Sequence, residues 1–74
     1  MKSHTVLSIP ERYGLEAFAA EIRAYFYGSA YGVAETPEGL RLTHADPARA
    51  AKKNNNYKLV RRRGRLAMVC DVNN

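Results

Sequence analysis

The residues best suited to chemistry in this chain form one basic segment. Between residues 49 and 65 the chain carries eight Lys or Arg residues and no Asp or Glu. These cations are Arg49, Lys52, Lys53, Lys58, Arg61, Arg62, Arg63 and Arg65. Guanidinium groups match phosphate oxygens bidentately, and an anion relieves the repulsion between clustered like charges. The segment therefore predicts an anionic partner, either nucleic acid (DNA or RNA) or an acidic protein surface.

The distribution of charge supports this interpretation. Residues 1–48 hold four cations and six acids, a net charge of −2, whereas residues 49–74 hold eight cations and one acid, a net charge of +7. A plain alternative is that Lys and Arg protect a strand edge from aggregation. Eight cations of one sign within seventeen residues favour anion recognition instead.

Four tyrosines are candidate stacking or interface residues, because a Tyr ring can stack on a base or anchor a protein interface. Successive helical residues point about 100° apart, so neighbouring aromatic residues cannot all face the core. The alternative is that the rings cover the rim of the core and leave their hydroxyls in water. The four candidates are Tyr25, Tyr27, Tyr31 and Tyr57.

Catalytic and metal-binding motifs are absent from the sequence. It contains no phosphate-binding glycine loop, nucleophile elbow or zinc-protease motif. Cys70 is the only cysteine, which excludes an internal disulfide, and one cysteine with the two distant histidines His4 and His44 lacks the paired spacing of a zinc site. We predict no cofactor, no metal and no enzymatic activity. One alternative is a small metal-independent ribonuclease in which His44 transfers protons beside a cation, although a lone histidine is more often structural or exposed.

The clearest element is a helix from about residue 15 to 27, ended by Gly28. Its apolar residues recur at helical spacing and form one stripe. Ser8 and Glu11 have the spacing of a capping box, which predicts a helical turn before the main helix. The stripe consists of Leu15, Phe18, Ala19, Ile22 and Phe26.

A short strand over residues 4–8 precedes this helix, and a hairpin of residues 31–36 and 40–44 follows it. The hairpin turns at Pro37-Glu38-Gly39, where Pro presets a turn dihedral and Gly accepts a positive φ. Asp46-Pro47 then predicts a short second helix over about residues 47–53, because Asp caps helices and Pro suits the first position.

The basic C-terminal hairpin spans residues 57–72, with its turn at Arg62-Arg63-Gly64. Its last strand alternates apolar residues onto one face, namely Leu66, Met68, Cys70 and Val72. The sequence thus predicts one α+β domain over residues 1–74. Two hairpins and the N-terminal strand form an antiparallel sheet, and the main helix covers one face of it.

Two further surfaces bear on partners. Ala17, Ala20 and Ala24 lie opposite the apolar stripe, where small side chains would allow a homodimer through helix contact; good helix propensity is the plain explanation.

No apolar run approaches the roughly 20 residues of a membrane span. We therefore predict no membrane association and, from the single cysteine, a reducing cytoplasmic location.

The leading hypothesis is a small non-enzymatic nucleic-acid-binding protein that contacts the phosphate backbone through its basic hairpin. The alternative is a protein-interaction module or small inhibitor that docks its basic and tyrosine-rich surface on a larger protein machine. Small single-domain chains of this kind are frequent among phage and mobile-element proteins. The ribonuclease is the second alternative.

Overall fold

A computed structural model describes residues 2–72 and confirms the predicted α+β class with its main and short helices. The N-terminal strand is longer than the predicted residues 4–8, because it pairs along almost its whole length with the last strand. The elements are β1 (Lys2–Pro10), a 3-10 turn (Glu11–Tyr13), α1 (Leu15–Phe26), β2 (Tyr31–Thr36), β3 (Gly39–His44), α2 (Pro47–Asn54), β4 (Tyr57–Arg62) and β5 (Arg65–Val72).

The strands form two antiparallel sheets where the sequence predicted one. β5 is the central strand between β1 and β4, and β2 pairs only with β3. β3 lies beside β4 without joining its ladder. Asn54 at the end of α2 donates its side-chain N–H to the Leu42 carbonyl of β3 at 3.4 Å. This side chain therefore joins the end of α2 to β3.

The core lies between α1 and one face of both sheets. Phe18 and Ile22 of α1 are fully buried against Leu66 and Met68 of β5. Leu42 of β3 extends this cluster into the second sheet, so the two sheets share one apolar core even though no ladder connects them. The alternation predicted for β5 is confirmed at Leu66 and Met68; the side chain of Val72 lies outside the described part.

The chain around α1 differs from the sequence prediction at both ends. Ser8 and Pro10 belong to β1, so the capping-box prediction was wrong, and Gly14 with φ of 92° separates the 3-10 turn from α1. At the other end Tyr27, and not Gly28, takes the left-handed conformation, with φ of 53°. Gly28 is needed for another reason: a Cβ there would lie 3.1 Å from the ring of Tyr31.

The basic hairpin closes through a two-residue turn, one residue shorter than predicted. Pairing continues to Arg62 and Arg65, and the turn residues Arg63 and Gly64 have φ of 56° and 74°. Two positive φ values are the signature of a type I′ turn, whose twist matches that of paired strands. The Gly64 carbonyl accepts a hydrogen bond from the Glu11 N–H at 2.8 Å, which fixes the hairpin tip to the end of β1.

Candidate nucleic-acid interface

Strand alternation divides the arginines of the basic hairpin between two faces of the sheet. Arg61 lies opposite Leu66, whose side chain is in the core, and therefore projects on the side covered by α1. Arg62 lies opposite Arg65 and projects on the other side. Neighbouring residues in the sequence thus have different surroundings.

Arg61 is held by two carboxylates. Its Nε lies 2.6 Å from Glu11 Oε2, and its Nη1 lies 2.5 Å from Glu35 Oε2. Glu11 follows β1 of the three-stranded sheet, whereas Glu35 belongs to β2, so the guanidinium bridges the two sheets. Its hydrogen bond and its charge lower the pKa of Glu35. This arginine is a structural cation, already neutralised by the protein.

The other three arginines of the tip have different partners. Among residues 2–72, no carboxylate lies within 4.0 Å of Arg62, Arg63 or Arg65. Arg65 donates from Nε to Ser8 Oγ at 2.8 Å and from Nη2 to the Ser8 carbonyl at 3.4 Å. The neutral oxygens orient this guanidinium without cancelling its charge.

These three arginines border a groove of about 190 Å³, which we call the arginine groove. Its floor is aliphatic, because Ala67 and Val69 of β5 lie there, on the face opposite Leu66 and Met68, with 9% and 8% of their surface exposed. Every residue that lines it comes from β1, β4, β5 or the hairpin turn. The lining consists of Thr5, Ser8, Val60, Arg62, Arg63, Arg65, Ala67 and Val69.

The remaining cations of the basic segment lie toward the other end of β4. Lys58 pairs with Asp71 at 3.5 Å, and Arg49 pairs with Asp46 at 3.8 Å. Lys53 lies over the ring of Phe26, 5.0 Å from its centroid. A strand of six residues, about 17–20 Å long, separates the end of α2 from the tip. The folded chain therefore divides one run of charge into two surfaces.

The four candidate tyrosines do not form one surface. Tyr31 is 7% exposed and belongs to the core, so its ring is not accessible to a base. Tyr57 packs edge-on against Phe26 at 5.2 Å and against Tyr25 at 5.9 Å. A hydrogen bond with Tyr25, reinforced by burial, raises the pKa of Tyr57 to about 12. Only Tyr25 and Tyr27 expose much of their side chains, at 41% and 96%.

His44 lies in a shallow pocket of about 370 Å³ between β3 and α2, away from the basic hairpin. Its Nδ1 accepts a hydrogen bond from the Asp46 N–H at 2.8 Å, and its ring packs on Tyr31 with centroids 4.4 Å apart. Only Nε2 is left for proton transfer, and Arg41 is the one cationic residue lining the pocket in the described chain. Arg41 is thus the cation nearest to the predicted ribonuclease arrangement, and no residue of the basic hairpin lines this pocket in the described chain.

Within residues 2–72, no three His, Cys, Asp or Glu side chains come together as a metal-ligand set, and neither helix is long and apolar enough to cross a membrane. Cys70 is half-buried, with its Sγ 3.8 Å from the Asp71 carbonyl. No protein-family model, curated protein or solved structure matches this chain. Its chemistry must be argued from its own residues.

Proposed function

We propose that this protein is a small non-enzymatic nucleic-acid-binding protein and that its contact surface is the arginine groove. One observation carries the proposal: three arginines that have no carboxylate partner within residues 2–72 border an aliphatic groove, and no helix residue lines that groove. A surface whose cations served only solubility would not need an apolar floor between them. Phosphate oxygens would supply the charge that the protein leaves unmatched.

The three arginines set the expected salt dependence. Each phosphate neutralised on duplex DNA contributes about −0.9 to the slope of log K against log salt. Three contacts predict a slope of about −2.7, and about −2.1 for a single strand. The whole run of eight cations would predict a much steeper dependence, which the ion pairs of Arg61, Lys58 and Arg49 argue against.

Fluorescence anisotropy with labelled duplex DNA, single-stranded DNA and RNA at several salt concentrations tests the proposal. The double variant Arg62→Gln/Arg63→Asn should lose about two phosphate contacts; Asn is chosen because it tolerates the positive φ of this position. The matched control, Lys52→Gln/Lys53→Gln, removes the same charge from α2 and should bind like the unmodified protein. No binding to any of the three ligands at low salt would overturn the proposal.

A second candidate, a protein-interaction module or small inhibitor, is favoured by Tyr27. This residue combines a left-handed backbone, φ of 53°, with a side chain that is 96% exposed. A bulky residue at positive φ is an outlier, and such strain tends to mark functional positions. The ring gains no burial within the chain that would offset the strain, which suits an anchor for a partner surface.

The surroundings of Tyr27 are consistent with this second candidate. Ala20 and Ala24 on the same side of α1 are exposed, and Tyr13 before the helix is 59% exposed. The sequence predicts a homodimer face at Ala17, Ala20 and Ala24, and the homodimer is part of this second proposal. Sedimentation equilibrium at increasing concentration tests it, because a constant mass of one chain would remove the homodimer. A cytoplasmic location also remains a proposal, resting on the one unpaired cysteine.

A further inference from the structure

We propose that the arginine groove accepts one unstacked base of a single-stranded nucleic acid, with the flanking phosphates on Arg62, Arg63 and Arg65. This inference rests on the proposed function and narrows its ligand from any nucleic acid to a single strand. Two properties of the groove carry it: the aliphatic floor, and three cations at its border, of which Arg65 is held in place by Ser8.

The floor distinguishes a single strand from a duplex. Val60, Ala67 and Val69 offer aliphatic surface with no donor or acceptor side chain. A duplex presents phosphates on its outside and keeps the faces of its bases stacked, so it can reach the rim of this groove but cannot cover the floor. An unstacked base has an apolar face that can cover the floor of the groove. Burial of that face adds an attraction that only the single strand gains.

One cation of the rim and the backbone of the hairpin turn are held in place before any ligand binds. Ser8 orients Arg65 through two hydrogen bonds, of 2.8 and 3.4 Å. Arg63 belongs to the type I′ turn, and the carbonyl of Gly64 is bonded to the N–H of Glu11. A guanidinium oriented as that of Arg65 is loses little freedom on binding, which favours affinity. Guanidinium planes can also stack on exposed bases.

The opposite rim can recognise the edge of a base. Thr5 and Ser8 of β1 line the groove across from Val60 and Arg62 of β4. Ser8 Oγ accepts from Arg65, which leaves its O–H free to donate to a base carbonyl or ring nitrogen. A hydroxyl that can both donate and accept tolerates different bases, so we expect weak sequence preference. The volume of about 190 Å³ suits one base and not a stack of several.

Short oligonucleotides test the inference, because a pentanucleotide allows few binding registers. The single-stranded pentamer should bind about tenfold more tightly than its counterpart with an abasic central position, equivalent to about 1.4 kcal/mol. The two slopes against salt should be equal, because the phosphates are the same. A longer single strand should likewise bind about tenfold more tightly than a duplex of the same length, in DNA or RNA form.

Variants of the floor provide the protein-side test. Val69→Thr keeps the shape of the side chain and makes the floor polar, so it should weaken binding to the intact pentamer severalfold and leave binding to the abasic pentamer unchanged. Ala67→Leu should fill the groove and abolish the preference for the intact pentamer. Thr43→Val, on β3 and outside the groove, is the matched control. Circular dichroism confirms that each variant is folded; if Ala67→Leu is not, Val69→Thr decides.

The failure of this inference differs from the failure of the proposed function. Equal binding of single strand, duplex and abasic pentamer, with arginine-dependent salt slopes, would retain nucleic-acid binding and overturn the base-binding groove. Loss of affinity in Val69→Thr for both pentamers alike would overturn it as well. Absence of binding to every nucleic acid would overturn both proposals.

Discussion

Adjacent arginines of β4 should respond in opposite ways to the same substitution. Arg62→Gln removes a cation of the arginine groove that has no carboxylate partner within residues 2–72. Arg61→Gln removes a cation that Glu11 and Glu35 already neutralise. The net charge changes by the same amount in each variant, so a response to overall charge alone would be identical.

The size of the effect follows from the number of contacts. With three arginines on phosphates of a single strand, the slope of log K against log salt is about −2.1. Arg62→Gln should reduce it to about −1.4, since each phosphate contact contributes about −0.7. Arg61→Gln should leave the slope at its original value. It should instead lower the denaturant midpoint, because Glu11 and Glu35 lose the bridge between the two sheets.

Anisotropy titrations at four or more salt concentrations give the slopes, and urea unfolding followed by circular dichroism gives the midpoints. Comparison of the two variants under both measurements separates a contact role from a structural role. Equal changes of slope in Arg61→Gln and Arg62→Gln would refute the division of the two arginines between opposite faces. A stable Arg61→Gln protein with an unchanged midpoint would refute the bridge.

Three further predictions concern stability. The folded protein holds the Tyr57 proton more tightly than the unfolded chain does, with a pKa of about 12 against 10.0. The Tyr57 hydroxyl should therefore contribute stability that is present below pH 10 and lost as the pH rises toward 12. In thermal melts, Tyr57→Phe should remove that part of the decline in melting temperature at alkaline pH. The lowered pKa of Glu35 predicts stability that is present above about pH 4.5 and lost as the pH falls through the folded value, and urea midpoints should show a weaker acid dependence in Arg61→Gln. Tyr27→Gly should raise the free energy of unfolding by about 1 kcal/mol, since glycine pays no penalty for a left-handed backbone. It should also weaken the binding of any partner that the Tyr27 ring anchors. An unchanged or lower free energy of unfolding would contradict backbone strain at Tyr27.

Local patterns in the sequence predicted most of the elements. The apolar residues from Leu15 to Phe26 recur at the spacing of a helix and not at that of a strand. Asp46 caps α2 through its Oδ1, as its position before Pro47 predicted. The division into two sheets could not be predicted in this way. The contacts near the junction of the sheets, Asn54 with Leu42 and Arg61 with Glu35, join residues that are distant in the chain, and sequence periodicity carries no information on such contacts.

The sequence predicted one basic surface along the hairpin, whereas the folded chain divides its arginines between two faces of the sheet. The density of cations indicated the hairpin as the binding surface, but it predicted the same anion-binding role for Arg61 and Arg62. The period of two in β4 contained the distinction, because Leu59 and Arg61 share one face while Val60 and Arg62 share the other. The carboxylates that neutralise Arg61 come from Glu11 and Glu35, which only the folded chain brings to it.

The floor of the groove did leave a signal in the sequence. Leu66 to Cys70 is a run of five consecutive apolar residues, and a half-exposed strand would show only every second one. An uninterrupted run indicates a central strand with apolar residues on both faces, which is the position that β5 occupies. One face of β5 meets α1 in the core, whereas Ala67 and Val69 on the other face line the arginine groove together with residues of β1, β4 and the hairpin turn. Because Ala67 and Val69 are small, the sheet surface is recessed between the arginines and forms a groove. An apolar floor with a cationic border favours a ligand that has both an apolar face and negative charge.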